Sequence, residues 1–288
     1  MQLRHSERKK AKIKMALQAP AGAGKTYSSL LLAQGLTNGD FSKIAIIDTE
    51  NGSADLYAHL GQYNVLTLAP PFTPENYIKA IDVCEKAGME VIILDSISHC
   101  WDYLLDYHSS LAGNSFTNWA KISPMLKSFV DKILQCDAHV IATMRTKQDY
   151  VLNQKDGKFT PEKVGLKAVQ RNDLDYEFTL VFSIDIKHFA VSDKDRTGLF
   201  MGKPEFIINS ATGRKILEWC NSGTNLQDVR EKIKAVKNLE ELKKLYSQYS
   251  GWRELLEYDF KLQKDTITSK ELLLNPKTFS TNGSTTHH

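Results

Sequence analysis

One stretch constrains the chain more than any other: Ala19-Pro20-Ala21-Gly22-Ala23-Gly24-Lys25-Thr26, set between a short strand pattern and a helical one. Ala11 to Leu17 alternates small or apolar residues with lysines, and Tyr27 to Gln34 continues as an apolar helical run. Gly22 and Gly24 allow positive φ, so successive N–H groups can converge on one concavity at a helix N-terminus. A polyphosphate fits there. Ala21, Gly22, Ala23, Gly24, Lys25, Thr26 and Tyr27 would line it, Lys25 would reach the β- and γ-phosphates, and the Thr26 hydroxyl would complete the coordination of a bridging Mg²⁺.

The match to the P-loop pattern departs at Ala19, where the pattern has its first glycine. Ala19 needs an ordinary φ/ψ and Pro20 stiffens the next residue, so the entry to the loop is less flexible than the pattern implies. Gly35 to Asp40 reads as a turn, and Lys43 to Asp48 is the near-continuous apolar run of a buried parallel strand. That run ends in Asp48-Thr49-Glu50-Asn51-Gly52. Ligands of open α/β sheets sit beyond the carboxyl ends of the strands, which places Glu50 on the edge of Lys25. Glu50 is there either to orient and deprotonate an attacking water or as an ordinary turn former. Asn64 to Ala69 reads as a strand and Pro74 to Gly88 as a helix capped by Thr73. Glu90 to Ser96 follows, with four apolar residues closed by Asp95, a Walker-B pattern in which Asp95 holds Mg²⁺ next to Thr26.

Helices over His99 to Ala112 and Asn118 to Gln135 carry apolar stripes that read as core. Ala138 to Arg145 is the next buried strand, and Thr143 or Arg145 at its end is placed to sense a γ-phosphate. Thr146 to Asp173 is a long polar, irregular stretch. It suits a single-strand contact loop, in which Lys147, Lys163, Lys167 and Arg171 track phosphates and Tyr150 stacks on a base, or equally a solvated hairpin whose acidic residues dilute the charge. Tyr176 to Ile184 and His188 to Ser192 read as two strands leading into Asp193-Lys194-Asp195-Arg196-Thr197-Gly198. Lys194 and Arg196 either pair with the flanking aspartates or neutralise a transferring γ-phosphoryl group in a neighbouring subunit.

With 288 residues, 42% of them hydrophobic, the chain can bury one α/β core with a small appendage. A net charge of only +3 means that nucleic-acid binding must come from local patches. No apolar run approaches a membrane span and no hydrophobic signal segment follows the basic N-terminus, so a cytoplasmic location is expected. Cys84, Cys100, Cys136 and Cys220 have neither zinc nor CxxC spacing and read as reduced core thiols, while His99, His108 and His139 have no metal-ligand spacing. Arg4, Arg8, Lys9, Lys10, Lys12 and Lys14 form a basic lead-in, with Lys12 and Lys14 expected on the exposed edge or end of the first strand. The spacing divides the chain into a core over 1–222, a helical appendage over 223–274 that suits a protein partner, and a disordered polar tail over 275–288.

Taken in order, these motifs resemble the RecA-like ATPase core over Lys12 to Glu218. The likeness is closest to phage-type RecA-like ATPases of single-strand annealing and recombination, and more distant to RadA and DnaB-type motors. The resemblance implies a mostly parallel twisted sheet flanked by helices, ATP and Mg²⁺ as ligands, and a homo-oligomer, ring or filament, acting on single-stranded DNA. It also implies Glu50 as the catalytic carboxylate and Lys194 and Arg196 as a finger acting in trans. Arg145 departs from it, standing near the position of the RecA glutamine switch, and the C-terminal helices are not those of RecA. A nucleotide-gated partner-binding protein, such as a helicase loader or assembly ATPase, is the alternative.

Overall fold

Strands such as Ile44–Asp48 and Val91–Asp95 are buried along their whole length, which requires helices on both faces of their sheet. The computed structural model describes residues 10–155, 158–171, 174–223, 226–249 and 252–274, with backbone alone for 148–155, 158–166, 254 and 271–274. The strands are β1 (Lys14–Ala19), β2 (Ile44–Asp48), β3 (Asn64–Thr67), β4 (Val91–Asp95), β5 (His139–Lys155), β6 (Lys158–Ala168), β7 (Leu180–Ile184), β8 (Phe189–Asp195) and β9 (Phe206–Ile207). The helices are α1 (Lys25–Leu36), α2 (Pro74–Lys86), α3 (Ser98–Ser110), α4 (Ser115–Gln135), α5 (Ser210–Asn221), α6 (Leu226–Ala235), α7 (Leu239–Gln248) and α8 (Arg253–Leu274).

The sheet runs β3-β2-β4-β5-β1-β7-β8-β9. Its pairings are parallel from β3 through β7 and antiparallel between β7 and β8 and between β8 and β9. This is the α/β sheet flanked by helices that the sequence pattern predicts. Alternate residues of one strand feed opposite faces. Ile92 and Leu94 join Tyr77, Leu104, Ile122 and Phe129, whereas Val91 and Ile93 join Leu30, Leu32, Leu36 and Ile216.

Several expectations are corrected. Strand β1 continues to Ala19 and is central, so Lys14 is buried (6% exposed) and its ammonium bonds the carbonyls of Cys136 and Ala138 at 2.5 and 2.6 Å. An alternating pattern marks an edge only when one face is wet, and here both faces are covered. Gly35 belongs to α1, not to a turn: a Cβ there would lie 2.2 Å from the Ser210 carbonyl oxygen, and one on Gly213 would lie 2.2 Å from that of Leu32. The two glycines let α1 and α5 touch backbone to backbone. The stretch after Arg145 is no irregular loop, since β5 runs on to Lys155 and pairs antiparallel with β6, the hairpin alternative of the sequence reading. Strand β7 begins at Leu180, after a 3-10 turn at Leu174–Tyr176.

The chain divides into two compact units, Ala11–Cys220 and a second that joins Lys10 to residues from Asn221 onward. In the second, α6, α7 and α8 enclose their own core of Val229, Ile233, Leu242, Trp252, Leu256 and Phe260, and Lys10 Nζ lies 3.0 Å from Asp228. The tail over 275–288 lies outside the described residues. All four cysteines are free and buried, and burial pushes the Cys84 thiol up to about 11. Among the described residues no helix is long and apolar enough to cross a membrane.

Candidate active site

The loop from Pro20 to Gly24 joins the end of β1 to the start of α1. Gly22 and Gly24 have φ of 79° and 85°, conformations that side-chain-bearing residues rarely adopt. Ala19, the departure from the pattern, is the last residue of β1 and pairs with Arg145, so its ordinary backbone suits the position. Gly24 is the N-cap of α1 and offers no side-chain hydrogen bond. The N–H groups of the first helical turn, which have no partner within the helix, are therefore left for a ligand. Lys25 extends back over the loop, its Nζ donating to the carbonyls of Ala19 and Pro20 at 3.0 Å each. Burial pulls the Lys25 ammonium below its ordinary range, opposed by the charges of Asp95 and Glu50. Tyr27 is partly exposed on the first turn of the helix, its ring tilted against that of Tyr57 at 5.7 Å.

Strand β4 does not touch β1; β5 lies between them. Their ends meet through side chains. Asp95, 1% exposed, accepts hydrogen bonds from Thr26 Oγ1 and from Thr143 Oγ1, each at 2.5 Å. Thus the loop helix, β4 and β5 converge on one carboxylate. Burial raises its pKa, with the two threonine hydrogen bonds opposing. A hydroxyl and a carboxylate side by side fit Mg²⁺, which takes one or two carboxylates and completes its shell with water and substrate phosphates. No cluster of three or more His, Cys, Asp or Glu ligands occurs among the described residues, so the fit is to a substrate-completed site and not to an all-protein cage.

Glu50 stands two residues beyond β2, where Asp48 anchors the turn by accepting from Glu50 N at 2.6 Å and Ala54 N at 3.1 Å. The Glu50 carboxylate accepts from Ser96 Oγ at 3.0 Å and Arg145 Nε at 3.0 Å, and Arg145 Nη2 bonds its second oxygen. Burial pushes this carboxyl up, yet the bidentate Arg145 contact with the Ser96 bond outweighs it and holds the group below its usual range. Arg145 is itself fixed by its backbone N–H, which donates to Ser98 Oγ at 2.9 Å. Thr49 completes the floor, with Oγ1 2.7 Å from His99 Nδ1 and accepting from Ser96 N at 2.9 Å. The sequence reading did not pick out Thr49, Ser96 and Ser98. For Thr49 and Ser96 the signal was available, since they directly follow the aspartates that end β2 and β4, and Ser98 stands two residues further on.

Thus Lys25, Thr26, Glu50, Asp95, Thr143 and Arg145 come together at one edge of the sheet. Lys194 and Arg196 do not. Lys194 Nζ donates to the carbonyls of Asp175 (2.9 Å) and Tyr176, and Arg196 Nη2 donates to Tyr176 at 3.2 Å. The flanking aspartates are engaged elsewhere: Asp193 accepts from Gln18 Nε2 at 2.7 Å, and Asp195 from the backbone of Thr197, Gly198, Phe200 and Met201. Lys167 and Arg171 flank the base of the β5–β6 hairpin and are exposed, with Lys147 beside them at the same end. The side chains of Tyr150 and Lys163 lie outside the described residues.

A family model described as AAA domain matches residues 11–218. No curated protein matches the chain.

Proposed function

The chain belongs to the AAA domain family of P-loop ATPases, and from that premise we propose that it binds ATP with Mg²⁺ at the Pro20–Thr26 loop, hydrolyses it, and acts in an oligomer on single-stranded DNA during recombination or repair, in the manner of the phage-type RecA-like ATPases. The observation that carries the nucleotide half is Asp95, buried at the end of β4 and bonded to Thr26 from the loop helix and Thr143 from β5.

Lys25 and the N–H groups at the start of α1 hold the phosphate chain, and Thr26 with Asp95 would hold Mg²⁺. Bound there, the ion supplies neutralisation of the charge on the β- and γ-phosphates. Glu50, kept ionised, takes the proton of an attacking water once Arg145 yields one of its two bonds. Arg145 begins the part of β5 that extends into the hairpin, so its exchange between Glu50 and a γ-phosphate would report nucleotide state to Lys147, Lys167 and Arg171. Lys194 and Arg196 act on the site of the next protomer. Replacing Lys25 with Ala tests the reading: nucleotide binding and turnover are lost together, and an unchanged ATPase would refute it.

The DNA half rests on the basic base of the hairpin and the resemblance. Single-stranded oligonucleotide should stimulate the ATPase at low salt, and neither stimulation nor binding there would remove it. Arg196→Ala should spare nucleotide binding and abolish turnover, with partial recovery on mixing with Glu50→Gln subunits if the finger acts in trans. The second reading, a helicase loader or assembly ATPase, is favoured by the separate core of α6 to α8. Deleting residues 226–288 abolishes partner binding and leaves the ATPase intact only if that reading holds.

A further inference from the structure

The turn between β7 and β8 is built to present one side chain. The Asp185 carboxylate accepts from the backbone N–H groups of Lys187 at 2.9 Å and Phe189 at 2.8 Å, and His188 N donates to the Asp185 carbonyl at 3.0 Å. These bonds leave His188 at φ 70°, the left-handed region that is uncommon outside glycine and that asparagine, aspartate and histidine enter more often than other residues. From there its Nδ1 lies 3.1 Å from the carbonyl oxygen of Ala23, inside the phosphate-binding loop. A carbonyl only accepts, so Nδ1 carries the proton of this bond. The approach is close at Gly24, where a Cβ would stand 3.3 Å from the same nitrogen.

We propose that His188 is a positioning residue for nucleotide binding, acting through the peptide between Ala23 and Gly24. In a trans peptide the C=O and the N–H point opposite ways, and the cis bonds of the described chain are elsewhere, at Pro70-Pro71 and Asp95-Ser96. Holding the Ala23 oxygen on the imidazole therefore aims the Gly24 N–H away from the β7–β8 turn, as a donor to a phosphate. Without His188 that peptide is free to rotate, and the rotated form turns a carbonyl toward the anion. The inference rests on the reading of this loop as the phosphate site.

The test uses the full chain with ATP and Mg²⁺, measuring the Kd of a fluorescent ATP analogue, steady-state kcat and KM, and Tm. His188→Gly keeps the left-handed backbone and removes the donor; His188→Asn keeps both, since asparagine tolerates that backbone and its carboxamide donates. His188→Gly should raise Kd and KM about three- to tenfold, the size of one net hydrogen bond, with kcat and Tm held. His188→Asn should return both to within about twofold of the parent. A smaller rise, a loss confined to kcat, or no recovery in His188→Asn overturns the proposal. If His188→Gly does not fold, His188→Asp decides, because it offers Ala23 an acceptor; equal Kd for His188→Asp and His188→Asn overturns it. Lys25→Ala runs alongside. Retained ATP binding there refutes the phosphate loop itself, whereas lost binding there with a parent-like His188→Gly refutes only the role of His188.

Discussion

The two ends of the same parallel sheet bury polar groups in different ways. At the amino-terminal end, Lys14 bonds the carbonyls of Cys136 and Ala138, and His139 accepts the N–H of Ile13 at 3.0 Å. Their partners are backbone, fixed by the fold, and nothing there can be exchanged. At the carboxyl-terminal end Asp95 and Glu50 bond side chains from other elements, Thr26, Thr143, Ser96 and Arg145. Such partners can turn toward a ligand by rotation about side-chain bonds. A buried charge alone does not mark a site; a buried charge held by movable partners beside an uncapped helix does.

Substitutions at the two ends should then separate activity from stability. The largest effect is expected for Lys25→Ala, with ATP turnover down about 100-fold or more while Tm stays within a few degrees, read by a phosphate-release assay and calorimetry. Glu50→Gln should lower kcat about 100-fold and leave the Kd for ATP near that of the parent; a rise in Kd with normal kcat would make Glu50 a turn former. Arg145→Leu sharpens the comparison through pH. Arg145 holds the Glu50 carboxyl below its usual range against the push of burial, so without it the pKa climbs. The acid limb of kcat/KM should then move to higher pH, and an unmoved limb would mean that Glu50 is not the base.

At the opposite end, Lys14→Met leaves two carbonyls unpaired and should cost about 1–3 kcal/mol in denaturant titration with kcat/KM unchanged. At neutral pH the smallest effect is that of His139, whose pKa burial pushes down to about 3. Between that value and the ordinary histidine range the unfolded chain binds a proton that the folded one refuses, so stability falls as pH drops through that range. His139→Gln should flatten this slope without touching turnover.

Much of the carboxyl-terminal end was legible in the sequence because its chemistry is local. The glycines, Lys25 and Thr26 are contiguous, Asp95 closes an apolar run and Glu50 follows another by two residues, and the parallel pairing of such runs is implied by the pattern. What the sequence did not disclose depended on tertiary neighbours. The placement of β5 between β1 and β4 decides that Thr143 meets Asp95, and no local signal carries it. Lys14 looked like an edge residue because alternation says nothing of which strands lie alongside. Gly35 resembled a turn until α5 was seen against it. The stretch after Arg145 left loop and hairpin open because its length and mixed charge fit both, and whether two adjacent segments pair is not written in either one alone.

A crystal structure with a non-hydrolysable ATP analogue and Mg²⁺ tests the central claim most directly. The account predicts the phosphates against the N–H groups of Gly22 to Thr26, the ion between Thr26 and Asp95, and Arg145 withdrawn from at least one Glu50 oxygen. Nucleotide bound away from Lys25, or an ion held without Asp95, would contradict it.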